Sequence, residues 1–199
     1  MGAGAIPVVL TFLLVFVAWR MVFYFNKDLV RIRAWGELAR RSLPFATLTL
    51  MALSLPLVQG FQQEWGPLAW ALVFGAALLI SNFLSMPLDE RRANRAFRNG
   101  DYATAADLYR KLVAERPLAR YWTFLGAALG ASEQPEEAIN ASTKAVELDP
   151  EYGLAYYNRA LILSNTGRKS RAAKDLRKAL DVDLPRRFRT AANKMLEEL

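Results

Sequence analysis

The sequence predicts an all-α protein in two parts. An N-terminal set of membrane-spanning helices precedes a C-terminal stack of short helix pairs closed by a capping helix. Three observations carry this reading. Charge is unevenly placed: residues 1–88 hold six Lys/Arg and three Asp/Glu, whereas residues 89–199 hold 20 and 16. Nearly uncharged runs of close to twenty residues fill the first part, enough for a helix to cross a bilayer core of about 30 Å. A period of 33 to 35 residues runs through the second part.

The expected spans are about 6–25, 43–61 and 65–87, inside a membrane domain over 1–88. The first, IPVVLTFLLVFVAWRMVFYF, is broken only by Arg20. It does not read as a cleaved signal peptide, because no Lys or Arg precedes it, the apolar run is too long and no small-residue cleavage site follows. The second has Pro44 at its start and Pro56 near its far end, positions a membrane helix tolerates. The third is uncharged after Trp65, and Gln62, Gln63 and Glu64 form a tight hairpin before it. Between the first two spans, residues 26–42 place apolar side chains at roughly helical spacing among basic ones. Two readings stand for this loop: an amphipathic helix lying on the lipid surface, or a plain basic connection.

Basic residues set the orientation. Lys27, Arg31, Arg33, Arg40 and Arg41 lie in the first loop, and Arg91 and Arg92 follow the third span. With three spans, both groups fall on the cytoplasmic side. The N-terminus is then outside and the C-terminal part cytoplasmic. The expected location is a cell inner membrane, multi-pass. Together with Arg20, whose long stem can snorkel outward, these residues are the expected lipid-headgroup contacts. The chain carries a formal net charge of +7. Most of that charge lies beside apolar segments, so lipid is the expected counterpart and nucleic acid is not. Arg outnumbers Lys by 19 to 7, a composition that points to a bacterial source.

In the second part, small residues recur at Ala105, Ala138 and Ala172, and a parallel series runs Leu112, Ala145, Ala179. Pro117, Pro150 and Pro185 follow at the same interval, each placed to end a helix. Such a period marks stacked supersecondary units. The units fall at about 89–117, 118–150 and 151–185, within a domain over 89–199. Residues 186–199 space Phe188, Ala192, Met195 and Leu196 as an amphipathic capping helix.

These segments resemble tetratricopeptide (TPR) repeats. The first matches at Gly100, Tyr102, Ala105, Tyr109 and Pro117. The second has Trp122–Gly126, Ala138, Ala145 and Pro150, and the third has Tyr156, Ala160, Gly167, Ala172 and Ala179. Repeat two departs from the pattern at Ser132–Glu133, where a turn glycine is usual. The resemblance implies a three-repeat solenoid whose groove, lined by the first helix of each pair, holds protein segments. By match to the motif, the groove residues are Asn94, Phe97, Arg98, Arg120, Thr123, Ala127, Tyr157, Asn158, Leu161 and Asn165. One TPR subclass grips a C-terminal carboxylate with Lys and Asn at set places. The matching positions here include Glu90, Phe124 and Leu154, so that clamp is not expected.

The chain has no Cys and no His, which removes thiolate nucleophiles, imidazole bases and the commonest metal ligands. The paired carboxylates Asp89–Glu90, Glu136–Glu137 and Glu197–Glu198 sit at helix starts or in the tail, where the helix dipole or solvent accounts for them. No catalytic, cofactor-binding or metal-binding residue is expected, nor a small-molecule substrate. The sequence reads as a membrane-anchored TPR adaptor or scaffold that mediates protein–protein interaction and complex assembly. An alternative is an accessory subunit of a larger membrane complex, in exopolysaccharide export or envelope or respiratory assembly, whose spans pack against other subunits.

Overall fold

The computed structural model describes residues 5–58 and 65–199. It falls into two compact units, Met1–Pro87 and Leu88–Leu199. All regular structure among the described residues is helical.

The first unit contains α1 (Ala5–Phe25), α2 (Lys27–Arg31), α3 (Trp35–Val58) and α4 (Gly66–Leu84). The expected basic loop is largely helical. Short α2 stops where Arg33 takes a left-handed φ of 55°, and α3 then starts at Trp35. Its first two turns absorb Glu37, Arg40 and Arg41, because nothing between Leu38 and Leu43 breaks a helix. Pro44 therefore lies inside α3 rather than at a span's start. The hairpin at Gln62–Glu64 and the end of the second span beyond Val58 lie outside the described residues.

Of the three expected spans, one is matched among the described residues. Among the described residues, Gly66–Leu84 is the helix long and apolar enough to cross a membrane, and Val15–Phe25 is a shorter apolar stretch. Helix α3 has the length but mixes Glu37, Arg40 and Arg41 with its apolar residues.

Polar clasps tie the long helices together. Trp19 Nε1 donates to Thr49 Oγ1 at 2.9 Å, joining α1 to α3, and Trp70 Nε1 donates to Ser54 Oγ at 3.0 Å, joining α3 to α4. An indole N–H in an apolar setting is costly unless it finds such an acceptor. Val22, Leu29 and Leu38 are buried, whereas Leu68, Leu72, Val73, Leu79, Ile80 and Phe83 are exposed along α4.

The second unit contains α5 (Leu88–Arg98), α6 (Tyr102–Glu115), α7 (Ala119–Ala131), α8 (Pro135–Leu148), α9 (Gly153–Asn165), α10 (Lys169–Asp181) and α11 (Arg186–Glu198). The helices pack as three antiparallel pairs, α5 with α6, α7 with α8 and α9 with α10, and α11 closes against α10. Local chemistry sets the ends. Asp101 caps α6 by accepting from the Thr104 N–H at 3.1 Å. Arg116 and Asp149, each before a proline, are extended and stop α6 and α8. Pro185, at the end of the third interval, instead leads into α11.

The periodic alanines explain the pairing. Ala105, Ala138, Ala145, Ala172 and Ala179 are fully buried, so backbones approach closely at each repeat. Gly126 is the tightest point: a Cβ there would meet Ser142 Oγ and stand 3.0 Å from the Ala138 carbonyl. One ionic clasp crosses the third pair. Arg159 donates to Asp175 through Nε (2.7 Å) and Nη2 (2.8 Å), and Nη1 reaches Thr143 Oγ1 on α8 at 3.1 Å. The Asp175 hydrogen bond raises the Arg159 pKa against the opposing effect of burial. Arg189 donates to the carbonyls of Leu180 and Leu184 and anchors α11.

The turns inside the three pairs share one backbone pattern. Asp101 N bonds Ala96 O at 3.0 Å, Gln134 N bonds Leu129 O at 2.9 Å, and Arg168 N bonds Leu163 O at 2.8 Å. In each, the residue just before the donor is left-handed: Gly100 at φ 79°, Glu133 at φ 60° and Gly167 at φ 75°. Glycine adopts this conformation freely, whereas Glu133 adopts it at a cost of about 1 kcal/mol.

Candidate protein-binding groove

A pocket of about 710 Å³ opens in the second unit. That volume is within the range of about 300–1,000 Å³ that ligand sites occupy. Helix α9 supplies one wall through Tyr157, Asn158, Leu161, Ile162 and Asn165. Helix α7 supplies Ala127, Gly130 and Ala131, whose small side chains leave the concavity open. Phe97 closes one end from α5, and Phe188 of α11 closes the other. The Tyr157 and Phe188 rings lie 5.4 Å apart, centroid to centroid. Glu133 and Pro135 contribute from the α7–α8 turn.

Six of the motif-derived groove residues line this pocket: Phe97, Ala127, Tyr157, Asn158, Leu161 and Asn165. The other four do not. Asn94 accepts a hydrogen bond from Tyr109 OH at 2.7 Å. Arg98 is exposed outside the lining, and Arg120 is buried. Thr123 has no exposed surface and donates to the Ala119 carbonyl at 2.8 Å, so its placement on an open groove is corrected. The Thr123 carbonyl in turn accepts from Asn158 Nδ2 of α9 at 3.4 Å.

The sequence did not point to Gly130, Ala131, Glu133, Pro135, Ile162, Thr166 or Phe188 as lining. Phe188 reads from the sequence as part of the amphipathic face of the capping helix. Glu133 could have been found from the turn position where the repeat loses its glycine.

The expected headgroup residues are scattered. Arg20, Arg31 and Arg33 are exposed, and Arg40 is half-buried. Lys27 Nζ sits 4.5 Å from the centre of the Tyr24 ring. Arg41 pairs with buried Glu37 at 3.3 Å and is mostly covered, which corrects its reading as an open lipid contact. Arg92 pairs with Asp89 at 3.5 Å, and Arg91 is half-buried. Among the described residues, no group of three carboxylates is placed to hold a metal ion.

Tetratricopeptide repeat models match residues 119–152 and 142–174. The chain carries TPR repeats. The peroxisomal targeting signal receptor of Eremothecium gossypii is 37% identical over 87 residues, covering 43% of this chain and 15% of that protein. The small glutamine-rich tetratricopeptide repeat-containing protein 2 of Mycosarcoma maydis is 30% identical over 91 residues, covering 45% of this chain and 26% of that protein. The chain thus spans about a quarter or less of the length of these curated relatives. Among solved structures, the type III secretion translocator chaperone SycD of Yersinia enterocolitica superposes with a TM-score of 0.52 at 22% identity, covering 56% of this chain and 87% of SycD. This likeness shows the fold: the TPR domain is a helical solenoid.

Proposed function

We propose that this protein is a membrane-anchored TPR adaptor, not an enzyme, whose groove holds a segment of a protein partner beside a bacterial inner membrane. The pocket between α7 and α9 carries the reading, because its aromatic and aliphatic floor with an amide rim suits side chains from another chain. Anchoring rests on the length and apolarity of Gly66–Leu84 and on the exposed large apolar side chains of α4. The TPR domain is assigned to the cytoplasm and the N-terminus to the outside, because basic residues flank that side of the spans.

Two reporters fused after Leu199, one active only in the cytoplasm and one only outside, test the topology. Cytoplasmic signal alone is expected, and external signal overturns the assignment. For the groove, in-cell cross-linking of wild type against Leu161→Asp is decisive. The adaptor reading expects a discrete partner band that the variant loses at unchanged protein level. A band indifferent to Leu161→Asp means that the partner sits elsewhere.

A second reading, an accessory subunit whose helices pack against other subunits, is favoured by one feature of α4. Gly75 and Ala76 are exposed, and a Cβ built on Gly75 meets nothing within 4 Å. This chain's own packing does not require a small residue there, whereas a neighbouring membrane helix would. Gly75→Leu separates the two: the adaptor tolerates it, and the subunit loses its complex in gentle detergent.

A further inference from the structure

Among the described residues, the pocket lining contains one charged side chain, and it is acidic: Glu133. Its position is unusual. The three intra-pair turns have the same hydrogen-bond pattern and the same left-handed residue, and two of them use glycine. The middle turn uses glutamate at φ 60° and places that residue in the pocket lining, whereas the third turn reaches the lining through Thr166 and keeps glycine at its left-handed position. An added side chain meets nothing within 4 Å at Gly100 or Gly167, so open space is common to these turns and does not single out the middle one. The turn's backbone hydrogen bonds are those of a helix end, and the exposed Glu133 carboxylate forms no hydrogen bond or ion pair within the described structure, so the side chain itself adds no internal contact in return for the left-handed backbone. Left-handed non-glycine residues cluster at binding sites, and this one sits beside a concave apolar surface with its carboxylate unengaged.

We infer that the groove selects a segment that carries a lysine or arginine next to apolar side chains, with the cation meeting Glu133. Tyr157, Leu161, Ile162 and Phe188 line the pocket that would hold the apolar side chains. The two arginines among the motif-derived groove residues are elsewhere: Arg98 lies outside the lining and Arg120 is buried. The domain as a whole has a small excess of basic residues. Selection therefore comes from the short-range contact with Glu133 rather than from long-range steering. The inference rests on the groove being the protein-binding face.

The test uses the full chain in amphipol and three fluorescein-labelled alanine-based helical probes that differ at one site. All carry leucine and phenylalanine, and the variable site is lysine, alanine or glutamate. Polarisation is read against wild type, Glu133→Gln, Glu133→Asn and Leu161→Asp, with empty amphipol subtracted. The lysine probe is expected to bind wild type about three- to tenfold more tightly than the alanine probe, with the glutamate probe weakest. Both Glu133 variants should bring the lysine probe to the level of the alanine probe. Glu133→Asn should do so at an equal or higher Tm, because asparagine tolerates the left-handed conformation. Leu161→Asp should weaken all three probes. A lysine preference that survives Glu133→Gln, or a glutamate probe that binds most tightly, overturns the inference and leaves the groove reading standing. Absence of binding by every probe, or indifference to Leu161→Asp, removes the groove reading and this inference with it.

Discussion

The two units use the same residue types in opposite ways. In the TPR domain, helices of 11 to 14 residues hide their apolar faces, with alanines fully buried where partners meet. In the N-terminal unit, α1, α3 and α4 run 21, 24 and 19 residues, and many of their leucines, phenylalanines and valines face outward. Water drives the first arrangement. The proposed membrane anchoring would account for the second, since in an apolar surrounding helices gain little by hiding leucine and are joined instead by hydrogen bonds such as Trp19–Thr49 and Trp70–Ser54. The contrast predicts that substitutions of equal size will act through different forces in the two units.

The largest effect is expected at the Arg159–Asp175 pair, whose side chains are 16% and 9% exposed. Arg159→Ala leaves a buried carboxylate without its fork of donors and should cost about 3–5 kcal/mol in denaturant unfolding of the full chain. Arg159→Met combined with Asp175→Leu should recover most of that loss. If the double variant were as unstable as the single one, the pair would be doing more than satisfying its own charges.

A smaller effect is expected at Gly126. Its Cβ position conflicts with Ser142 Oγ and the Ala138 carbonyl, so Gly126→Ala should cost about 1–3 kcal/mol by forcing α7 away from α8. Gly126→Ala with Ser142→Ala should recover only part, because the backbone carbonyl remains. Full recovery would show that the hydroxyl alone sets the spacing.

The smallest effect belongs to the N-terminal unit. Trp70→Phe keeps the ring but removes the N–H donated to Ser54, and it should cost about 0.6–1 kcal/mol in a detergent titration followed by helicity. A loss as large as that at Arg159 would mean that this unit behaves like a water-soluble core, which would break the comparison.

Much of the TPR domain was legible because its period is a packing requirement. Ala105, Ala138 and Ala172 recur because two backbones must approach at the same place in every pair, and the prolines recur because each pair must end. The N-terminal unit was less legible. Arg40 and Arg41 read as loop, yet no glycine or proline between Leu38 and Leu43 stops α3 from running through them. For the groove, match to the TPR motif gave Phe97, Tyr157, Asn158 and Leu161 as lining. It could not show that tight packing would bury Thr123, or that Phe188 would reach back from the last helix to meet Tyr157.

The sequence by itself determined the helical class, the repeat and the division between an apolar and a charged half, because periodicity and composition are local quantities that survive without coordinates. Only the tertiary structure decided which side chains share the pocket and where the strained turn points. Those depend on the angle at which α7, α9 and α11 meet, and that angle is set by how close a glycine or an alanine allows two backbones to come.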